Sequence, residues 1–381
     1  MPETYAHLGS FSDWVSFASR QQTLYPPVQS GEFVRNQLRQ ILGFCHLPES
    51  PLAVKVEDRW EWDGIQGEAV SWWVGYGPRT HAYLLRPKGV KGPLPGVVAL
   101  HDHGGFKYYG KEKIADGPLD LSDVLAVHRE AYGGRAFANE LAKEGFAVLV
   151  HDTFLWGSRR FPLDEMPVGI QRLARLEMAS AGDVDGPFAE ILEYNLAAAH
   201  HEHLIEKYCN LLGTTMAGVV CYEDRVAANY LLSRADVITS QVACIGLSGG
   251  GNRAALLLAT HGGIQAAVIV GLMSTYSGLL DHNVYSHTWM LFPSGWSRYG
   301  DWQDIAACRA PMPLLVQYDL DDELFTVEGM KAAHERIADH YQKAGSPQNY
   351  LGLFYPGPHK FDLEMQTTAF NWLKEIFHRS S

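Results

Sequence analysis

The sequence has no long apolar run, no cluster of basic residues and no repeated or low-complexity segment. A helix that spans a bilayer needs about 20 consecutive apolar residues, so we expect no transmembrane segment. With a net charge of −12 and no lysine- or arginine-rich block, the chain is not expected to bind nucleic acid or an anionic membrane. Residues 1–6 lack the basic and apolar stretches of a secretory signal, which predicts a cytoplasmic location.

Cysteine is scarce and irregularly placed. The five cysteines are odd in number and contain no C-x-x-C pair, so they lack the spacing of a disulfide framework or a zinc site. We expect reduced, mostly buried thiols at Cys45, Cys209, Cys221, Cys244 and Cys308. No stretch indicates a metal or an organic cofactor, and we predict neither.

The chain is long and apolar enough for a large core, since it has 381 residues of which 46% are hydrophobic. Residues 52–86 alternate between apolar and polar positions, with glycines between the alternating stretches, which predicts antiparallel strands. From residue 96 onward, short continuous apolar segments alternate with helical ones. This order is typical of an α/β fold in which helices cover both faces of a mostly parallel sheet.

The predicted elements follow from this pattern. We expect buried strands at 96–100, 146–150, 242–245, 266–270, 314–318 and 350–354, and helices at 129–144, 216–233 and 363–377. The predicted organisation is an N-terminal helical extension over residues 1–50 and one domain over residues 51–381. Two stretches outside the strand–helix alternation, at about 157–212 and 274–309, are predicted to be cap-like inserts at the carboxyl ends of strands.

One pentapeptide, Gly246-Leu247-Ser248-Gly249-Gly250, matches the pattern G-x-S-x-G. It follows an apolar β-prone run and precedes an alanine- and leucine-rich helical stretch, which is the context of a nucleophile elbow. The glycines permit the sharp turn that lifts a serine hydroxyl clear of the sheet. A serine at a helix N-terminus also lies where the helix dipole stabilises a developing oxyanion. Ser248 is therefore the predicted nucleophile.

A carboxylate and a histidine follow the elbow, each just after a predicted strand. Asp322 precedes Glu-Leu-Phe in an acidic turn and is the predicted orienting acid, with Asp319 and Asp321 in the same turn as alternatives. His359 lies in a Gly/Pro-rich loop after the last strand, where a general base can reach an elbow serine. The order Ser, Asp, His along the chain differs from the orders of the chymotrypsin and subtilisin families.

The loop after the strand at 96–100 is rich in histidine and glycine. It reads His-Asp-His-Gly-Gly-Phe over residues 101–106, and its glycines let the backbone approach a substrate closely. An oxyanion hole needs two N–H groups that point at the same oxygen atom. We predict that His103 supplies one of them, with Gly104 as the alternative, and that Gly249 supplies the other.

Two histidine clusters are weaker candidates for metal sites. His101 and His103 are separated by one residue, but no third ligand accompanies them. Residues 200–203 read His-His-Glu-His, and neighbouring residues on a helix point in different directions. We interpret residues 200–203 as a solvated polar helix face and predict no metal site in either place.

Aromatic and histidine side chains are frequent in the insert at 274–309. Such side chains can line a pocket for an acyl or alcohol group. We name Phe106, Trp156, His287 and Trp289 as candidate substrate contacts. The same insert is the candidate interface of a homodimer.

Together these motifs resemble the α/β-hydrolase superfamily, and within it the branch of dienelactone-hydrolase-like and acetyl-xylan-esterase-like proteins. The resemblance covers about residues 50–377. Its motifs are 100–105 (LHDHGG), 246–251 (GLSGGG), 310–315 (APMPLL), 322–325 (DELF) and 357–359 (GPH). The resemblance implies the α/β-hydrolase fold and a catalytic triad of Ser248, Asp322 and His359.

Two residues separate the chain from individual families of that branch. Gly249 stands where cephalosporin-C and acetyl-xylan deacetylases carry glutamine and where glucuronoyl esterases carry arginine. The nucleophile is Ser248, whereas dienelactone hydrolases proper use cysteine. The resemblance therefore implies the type of reaction and leaves the acyl and alcohol groups open.

The leading hypothesis is a serine hydrolase that cleaves a small-molecule carboxylic ester through an acyl-enzyme intermediate. An amidase, a peptidase or a C–C bond hydrolase would use the same three residues. A binding protein without catalytic activity is the third interpretation, and the complete set of Ser248, Asp322 and His359 argues against it.

Overall fold

One sheet carries the fold in this computed structural model, which describes residues 4–27, 30–44, 48–180, 186–281 and 283–379. Its strands are β1 (Leu52–Trp62), β2 (Ile65–Trp73), β3 (Thr80–Pro87), β4 (Leu94–Leu100), β5 (Ala147–His151), β6 (Val237–Leu247), β7 (Ala266–Val270), β8 (Leu314–Asp319) and β9 (Tyr350–Tyr355). The α-helices are α1 (Asp13–Gln21), α2 (Gly31–Leu42), α3 (Ser122–Arg129), α4 (Phe137–Lys143), α5 (Val168–Ser180), α6 (Pro187–Leu211), α7 (Met216–Leu232), α8 (Gly249–Thr260), α9 (Trp302–Ala307), α10 (Val327–Lys343) and α11 (Leu363–Arg379). No helix within the described ranges combines the length and the apolar character needed to cross a bilayer.

Along the sheet, the strands lie in the order β1-β2-β3-β5-β4-β6-β7-β8-β9. The first three strands pair antiparallel, and β3 also pairs antiparallel with β5. All neighbours from β5 to β9 pair parallel. The carboxyl ends of these parallel strands therefore meet at one edge of the sheet, where ligands bind in open α/β folds.

Alternate residues of each central strand face opposite sides, so the sheet separates two apolar layers. Val98 and Leu100 of β4 belong to a layer formed with α2, α7, α8, α9 and α10. Val97 and Ala99 belong to the layer on the other face, formed with α4 and α11. Helices therefore cover both faces of a mostly parallel sheet, which explains the continuous apolar strands and confirms the predicted fold class.

The predicted strands agree with the structure, whereas the single helix predicted over 129–144 is wrong. In the structure α3 ends at Arg129, and α4 begins at Phe137. Between them Gly133 and Gly134 have φ angles of 67° and 77°, a left-handed conformation that ends an α-helix. The Gly-Gly pair therefore separates two helices, and the apolar periodicity on either side of it led to the prediction of a single helix.

The two predicted inserts differ in structure. The described residues of the stretch 157–212 are largely helical and contain α5 and α6, as expected. Residues 274–309 consist mostly of short 3₁₀ turns, with α9 near their end. Helix α6 contacts the turn Trp289–Leu291 of the second insert, so the two inserts meet.

The cysteines that the structure describes are buried thiols without a disulfide, as expected. They are Cys209, Cys221, Cys244 and Cys308, whereas Cys45 lies outside the described residues. Burial raises the pKa of the Cys209 thiol to about 12, which keeps this cysteine protonated and unreactive at neutral pH.

Helix α2 is expected to unfold together with the sheet, because its Val34, Leu38 and Leu42 are fully buried in the larger apolar layer. We expect Leu38→Ala to lower the free energy of unfolding by about 2–5 kcal/mol, since the substitution leaves a cavity. Gln40→Ala, on the exposed side of α2, is the control and should change that energy by less than about 0.5 kcal/mol. Urea denaturation measures both variants. Equal stability of the two would show that α2 unfolds independently of the sheet.

Candidate active site

Ser248 occupies a sharp turn between β6 and α8, at the carboxyl edge of the sheet. Its backbone angles are φ 57° and ψ −121°, a conformation that residues other than glycine rarely adopt. The Ser248 N–H donates to the Val270 carbonyl at 2.9 Å and so ties the turn to β7. The side chain is partly exposed and lies at the N-terminus of α8, where the helix dipole favours negative charge.

Close backbone packing requires glycine on both sides of Ser248. A Cβ on Gly250 would lie 2.1 Å from the Leu100 carbonyl oxygen, and a Cβ on Gly246 would lie 2.4 Å from the Gly250 carbonyl carbon. Both distances are far shorter than a van der Waals contact. The glycines therefore let the first turn of α8 pack directly against the ends of β4 and β6.

His359 and Asp322 form a hydrogen-bonded pair at the same edge of the sheet. Asp322 follows β8, His359 follows β9, and the Asp322 Oδ2 and His359 Nδ1 atoms are 2.6 Å apart. The Leu324 N–H donates to the other Asp322 oxygen at 2.9 Å and fixes the carboxylate. With Nδ1 engaged, Nε2 is the ring nitrogen of His359 that can exchange a proton with a nucleophile.

The surroundings of His359 favour its protonated form. Burial by itself lowers the pKa of His359, but the hydrogen bond and the negative charge of Asp322 outweigh burial. The charges of Asp319 and Asp102 act in the same direction, so the pKa lies above its usual 6.5. Such an imidazole takes a proton from a weak acid more readily than a free histidine does.

The other two aspartates of the turn have different surroundings. Asp321 is exposed, and its Oδ2 accepts the Gly357 N–H at 2.7 Å. Asp319 is buried, with its Oδ2 accepting the Lys360 N–H at 3.1 Å and its Oδ1 lacking a partner among the described residues. Burial raises the pKa of Asp319 to about 7. Of the three aspartates, Asp322 is therefore the one placed to orient the imidazole.

Ser248 and His359 both line one cavity of about 410 Å³. The three residues predicted to form the oxyanion hole, His103, Gly104 and Gly249, line the same cavity. The structure therefore brings together five predicted site residues that come from three separate regions of the sequence.

The His103 backbone lies against the first turn of α8. A Cβ on Gly249 would be 2.6 Å from the His103 backbone nitrogen, and Gly104, with φ 55°, makes the turn that follows. The His103 N–H has no hydrogen-bond partner in the described part of the chain. Gly249 is the first residue of α8, where the helix itself leaves the N–H unpaired. An oxyanion hole requires two N–H groups of this kind beside one cavity.

Asp102 anchors the His103 loop through a buried polar network. Its carboxylate accepts hydrogen bonds from Tyr132 Oη at 2.6 Å, His128 Nε2 at 3.1 Å and Lys113 Nζ at 3.2 Å. Burial by itself would raise the pKa of Asp102, but His128 and Lys113 hold it well below its usual range. No sequence motif marks this network, because its members lie up to 30 residues apart and contain no regular spacing.

His287 is the predicted substrate contact that lines the cavity. Its Nε2 donates to the Leu324 carbonyl at 2.9 Å, and its ring packs 4.8 Å from that of Phe325. Burial lowers the pKa of His287 to about 4, so the ring is neutral at physiological pH. A neutral imidazole in the wall offers a substrate one hydrogen-bond acceptor and no charge.

The other three predicted substrate contacts do not line the cavity. Phe106 stacks on His128 with a centroid distance of 5.2 Å. Trp156 is buried, and Trp289 donates from Nε1 to His203 Nδ1 at 2.8 Å. The presence of an aromatic residue in the sequence does not indicate whether its side chain faces the cavity, because such side chains also pack against neighbouring protein groups.

The expectation of a solvated helix face at residues 200–203 is wrong. His201 and Glu202 are buried, while His200 and His203 retain some exposure. The second insert and the loop of His103 cover this side of α6, and Glu202 Oε2 lies 2.8 Å from His103 Nε2. The local sequence could not reveal this burial, because the covering segments are distant in the chain.

Neither histidine cluster gathers three metal-type ligands in the structure. His101 is buried, and its Nδ1 contacts the Asp102 carbonyl at 3.0 Å. Within the described residues, the set of three such ligands that lie within 4.8 Å of one another is Asp319, Asp322 and His359. That set includes the hydrogen-bonded His–Asp pair described above. It contains no residue of the two histidine clusters.

Comparison with known proteins extends these observations. No protein-family model matches the chain. A curated relative, "Putative hydrolase YtaP" of Bacillus subtilis (strain 168), is 24% identical over 273 residues, which make up 71% of this chain and 75% of the relative. The crystal structure of a "putative acetyl xylan esterase" from Bacteroides fragilis NCTC 9343 has a TM-score of 0.64 at 15% identity and covers 91% of this chain and 82% of that one. A glucuronoyl esterase from Solibacter usitatus has a TM-score of 0.59 at 12% identity, with 90% and 91% covered.

The chain has the α/β-hydrolase fold. The fold that the sequence resemblance implied is therefore confirmed. In this fold, Ser248 follows β6, Asp322 follows β8 and His359 follows β9. The nucleophile, acid and base of α/β-hydrolases come in this order along the chain.

The strained backbone of Ser248 should affect the stability of the protein. We expect the free energy of unfolding of Ser248→Gly to exceed that of Ser248→Ala by about 1 kcal/mol. Glycine relieves about 1–3 kcal/mol of strain at this φ and costs about 0.5–1 kcal/mol of chain entropy. Urea denaturation measures the difference between the two variants. A glycine variant less stable than the alanine variant would mean that the elbow is not strained.

Proposed function

We propose that the chain is a serine hydrolase that cleaves carboxylic esters. The observation that carries this proposal is the position of Ser248 and His359 in one cavity, with Asp322 Oδ2 2.6 Å from His359 Nδ1. Nucleophilic catalysis can use a serine at a helix N-terminus together with a half-buried base of raised pKa and an acid that orients this base.

In the proposed first step, the Ser248 hydroxyl attacks the ester carbonyl carbon while His359 Nε2 takes its proton. Asp322 keeps the proton of the neutral ring on Nδ1 and stabilises the imidazolium that forms. The N–H groups of His103 and Gly249 donate to the carbonyl oxygen as it becomes negative. The bond to the alcohol oxygen then breaks, and His359 gives its proton to the departing alcohol.

Water completes the proposed cycle. His359, now neutral, takes a proton from a water molecule as the water oxygen attacks the acyl carbon. The same two N–H groups stabilise the second oxyanion, and the bond to Ser248 breaks to release the carboxylic acid. His359 returns the proton to the Ser248 oxygen, so the enzyme recovers its initial state.

The names of the similar proteins support an ester as the bond that is cleaved. Acetyl xylan esterase and glucuronoyl esterase are both names of ester-cleaving enzymes, and YtaP carries the name of a hydrolase. Since the identities are 24% or lower, these names guide the type of bond and not the acyl or alcohol group. The homodimer and the cytoplasmic location stay predictions.

The first test compares wild type with Ser248→Ala on p-nitrophenyl esters of increasing acyl length. We expect kcat/KM to fall by about 10⁴-fold or more, because the variant has no nucleophile. Ser286→Ala is the matched control, since Ser286 also lines the cavity and has no part in the proposed steps. Its kcat/KM should stay within a few-fold of wild type.

Each outcome of this comparison is informative. Equal ester hydrolysis by wild type and Ser248→Ala would overturn the proposal. If neither folded protein hydrolyses p-nitrophenyl esters but a fluorophosphonate labels Ser248 of the wild type, the substrate is an amide, a compound cleaved at a C–C bond or an ester with a specific acyl or alcohol group. Lack of both hydrolysis and labelling would favour a binding protein.

The surroundings of His359 predict the acid limb of the pH profile. The reaction needs neutral His359, and the pKa of His359 is raised, so kcat/KM should fall to half its maximum at a pH above 6.5. Asp319→Asn removes a negative charge that favours the imidazolium, so the midpoint of the limb should move to lower pH. Glu323→Gln, which changes an exposed charge in the same turn, is the control. An unchanged midpoint in Asp319→Asn would show that this charge does not reach the base.

A further inference from the structure

Glu202, on helix α6 of the first insert, is a buried carboxylate that the proposed mechanism does not use. The residue is 5% exposed. It contacts the loop of His103 and the segment of Thr288, and both residues line the cavity. One side chain thus connects two parts of the cavity wall that lie 99 and 86 residues away from it in sequence.

The contact with His103 is directional. The Gly105 N–H donates to His103 Nδ1 at 3.1 Å, so the ring proton of neutral His103 is on Nε2, which lies 2.8 Å from Glu202 Oε2. The His103 carbonyl also accepts from Lys113 Nζ at 3.3 Å and from Trp156 Nε1 at 3.4 Å. The side chain and the carbonyl of His103 are both held, and together they set the direction of its free N–H.

The second oxygen of Glu202 holds the other part of the wall. Its Oε1 accepts from Thr288 Oγ1 at 2.6 Å and from the Trp289 N–H at 3.1 Å. These residues continue from Ser286 and His287, which also line the cavity. The position of this wall segment therefore depends on the same carboxylate as the position of the His103 loop.

Glu202 is charged in this setting. Burial alone would raise its pKa, but Lys107, whose Nζ contacts Oε2, and the hydrogen bond with His103 hold the pKa well below its usual range. An ionised carboxylate makes stronger hydrogen bonds than a neutral amide and accepts at both oxygens. The connection between the two wall segments is therefore stiff and persists over the working pH range.

We propose that Glu202 is a positioning residue, which holds the His103 N–H in the oxyanion hole and keeps the segment 286–289 against the cavity. This proposal rests on the function proposed above, because it assigns the His103 N–H to the developing oxyanion. Removal of Glu202 should therefore weaken binding of the transition state more than binding of the substrate.

Helix α6 offers a matched control one turn further along. Glu206 is 2% exposed, and its carboxylate accepts from the Met216 N–H at 2.8 Å and from Asn210 Nδ2 at 3.1 Å. Neither partner lines the cavity. Glu206→Gln therefore neutralises a buried carboxylate on the same helix without loosening the cavity wall.

The experiment measures kcat and KM for p-nitrophenyl acetate and the dissociation constant of phenylboronic acid. The boronic acid mimics the tetrahedral intermediate, because the serine oxygen adds to boron, the serine proton moves to His359 and no group leaves. Wild type, Ser248→Ala, Glu202→Gln and Glu206→Gln are compared, and urea denaturation reports their stability. Loss of fold alone would lower the fraction of active enzyme and leave the affinity of the folded fraction unchanged.

We expect Glu202→Gln to lower kcat by about 10- to 100-fold with a change in KM below about threefold, because a misplaced oxyanion donor acts on the transition state. Binding of phenylboronic acid should weaken by about tenfold or more in parallel. Glu206→Gln should leave kcat and the boronic acid affinity within about threefold of wild type, even where its stability falls.

The outcomes separate the two proposals. If wild type and Ser248→Ala hydrolyse the ester equally, the proposed function fails, and the role of Glu202 fails with it. If hydrolysis depends on Ser248 but Glu202→Gln behaves as Glu206→Gln does, the positioning role alone is overturned. Should Glu202→Gln not fold, Glu202→Asp gives the same test. It keeps a charge for Lys107 but is one methylene too short to reach both His103 and Thr288.

Discussion

The close backbone contact between the first turn of α8 and the end of β4 is the constraint on which the candidate site depends. A Cβ on Gly250 would lie 2.1 Å from the Leu100 carbonyl oxygen, and one on Gly249 would lie 2.6 Å from the His103 nitrogen. Because β4 and β6 are neighbours in the sheet, this contact sets the serine turn directly beside the loop that follows β4. The strained φ of Ser248 is a consequence of the same close approach, since the turn has no room to relax.

Buried, hydrogen-bonded carboxylates hold the loops around the cavity in place. Asp102, Glu202 and Asp322 are all buried, and each accepts at least two hydrogen bonds. An unpaired buried charge would be strongly destabilising. Movement of a loop that supplies a donor to one of these carboxylates is therefore unfavourable. Asp319 differs, because one of its oxygens lacks a partner in the described part of the chain and its pKa is raised to about 7. The negative charge that Asp319 places near His359 therefore changes with pH around neutrality.

Local sequence was sufficient to predict the central parallel strands and their order along the chain. The parallel strands are continuous apolar runs, and the strand–turn–helix context of the sequence predicts Ser248 as an elbow serine. Two expectations failed where distant or concealed features decided the structure. The helix predicted over 129–144 is broken by Gly133 and Gly134, and the supposedly solvated face at 200–203 is covered by two remote segments. Periodicity describes one helix at a time and carries no information on what packs against it.

The sequence by itself determined the fold class, the position of the elbow and the candidate residues Ser248 and His359, because glycine spacing and apolar runs are local and directly readable. Tertiary structure decided which of three aspartates lies 2.6 Å from the imidazole. It also decided that Phe106, Trp156 and Trp289 stand outside the cavity wall, and that Glu202 connects two parts of that wall. Each of these facts depends on the relative placement of segments far apart in the chain, which is set by the packing of the whole sheet and its inserts and not by any short stretch of residues.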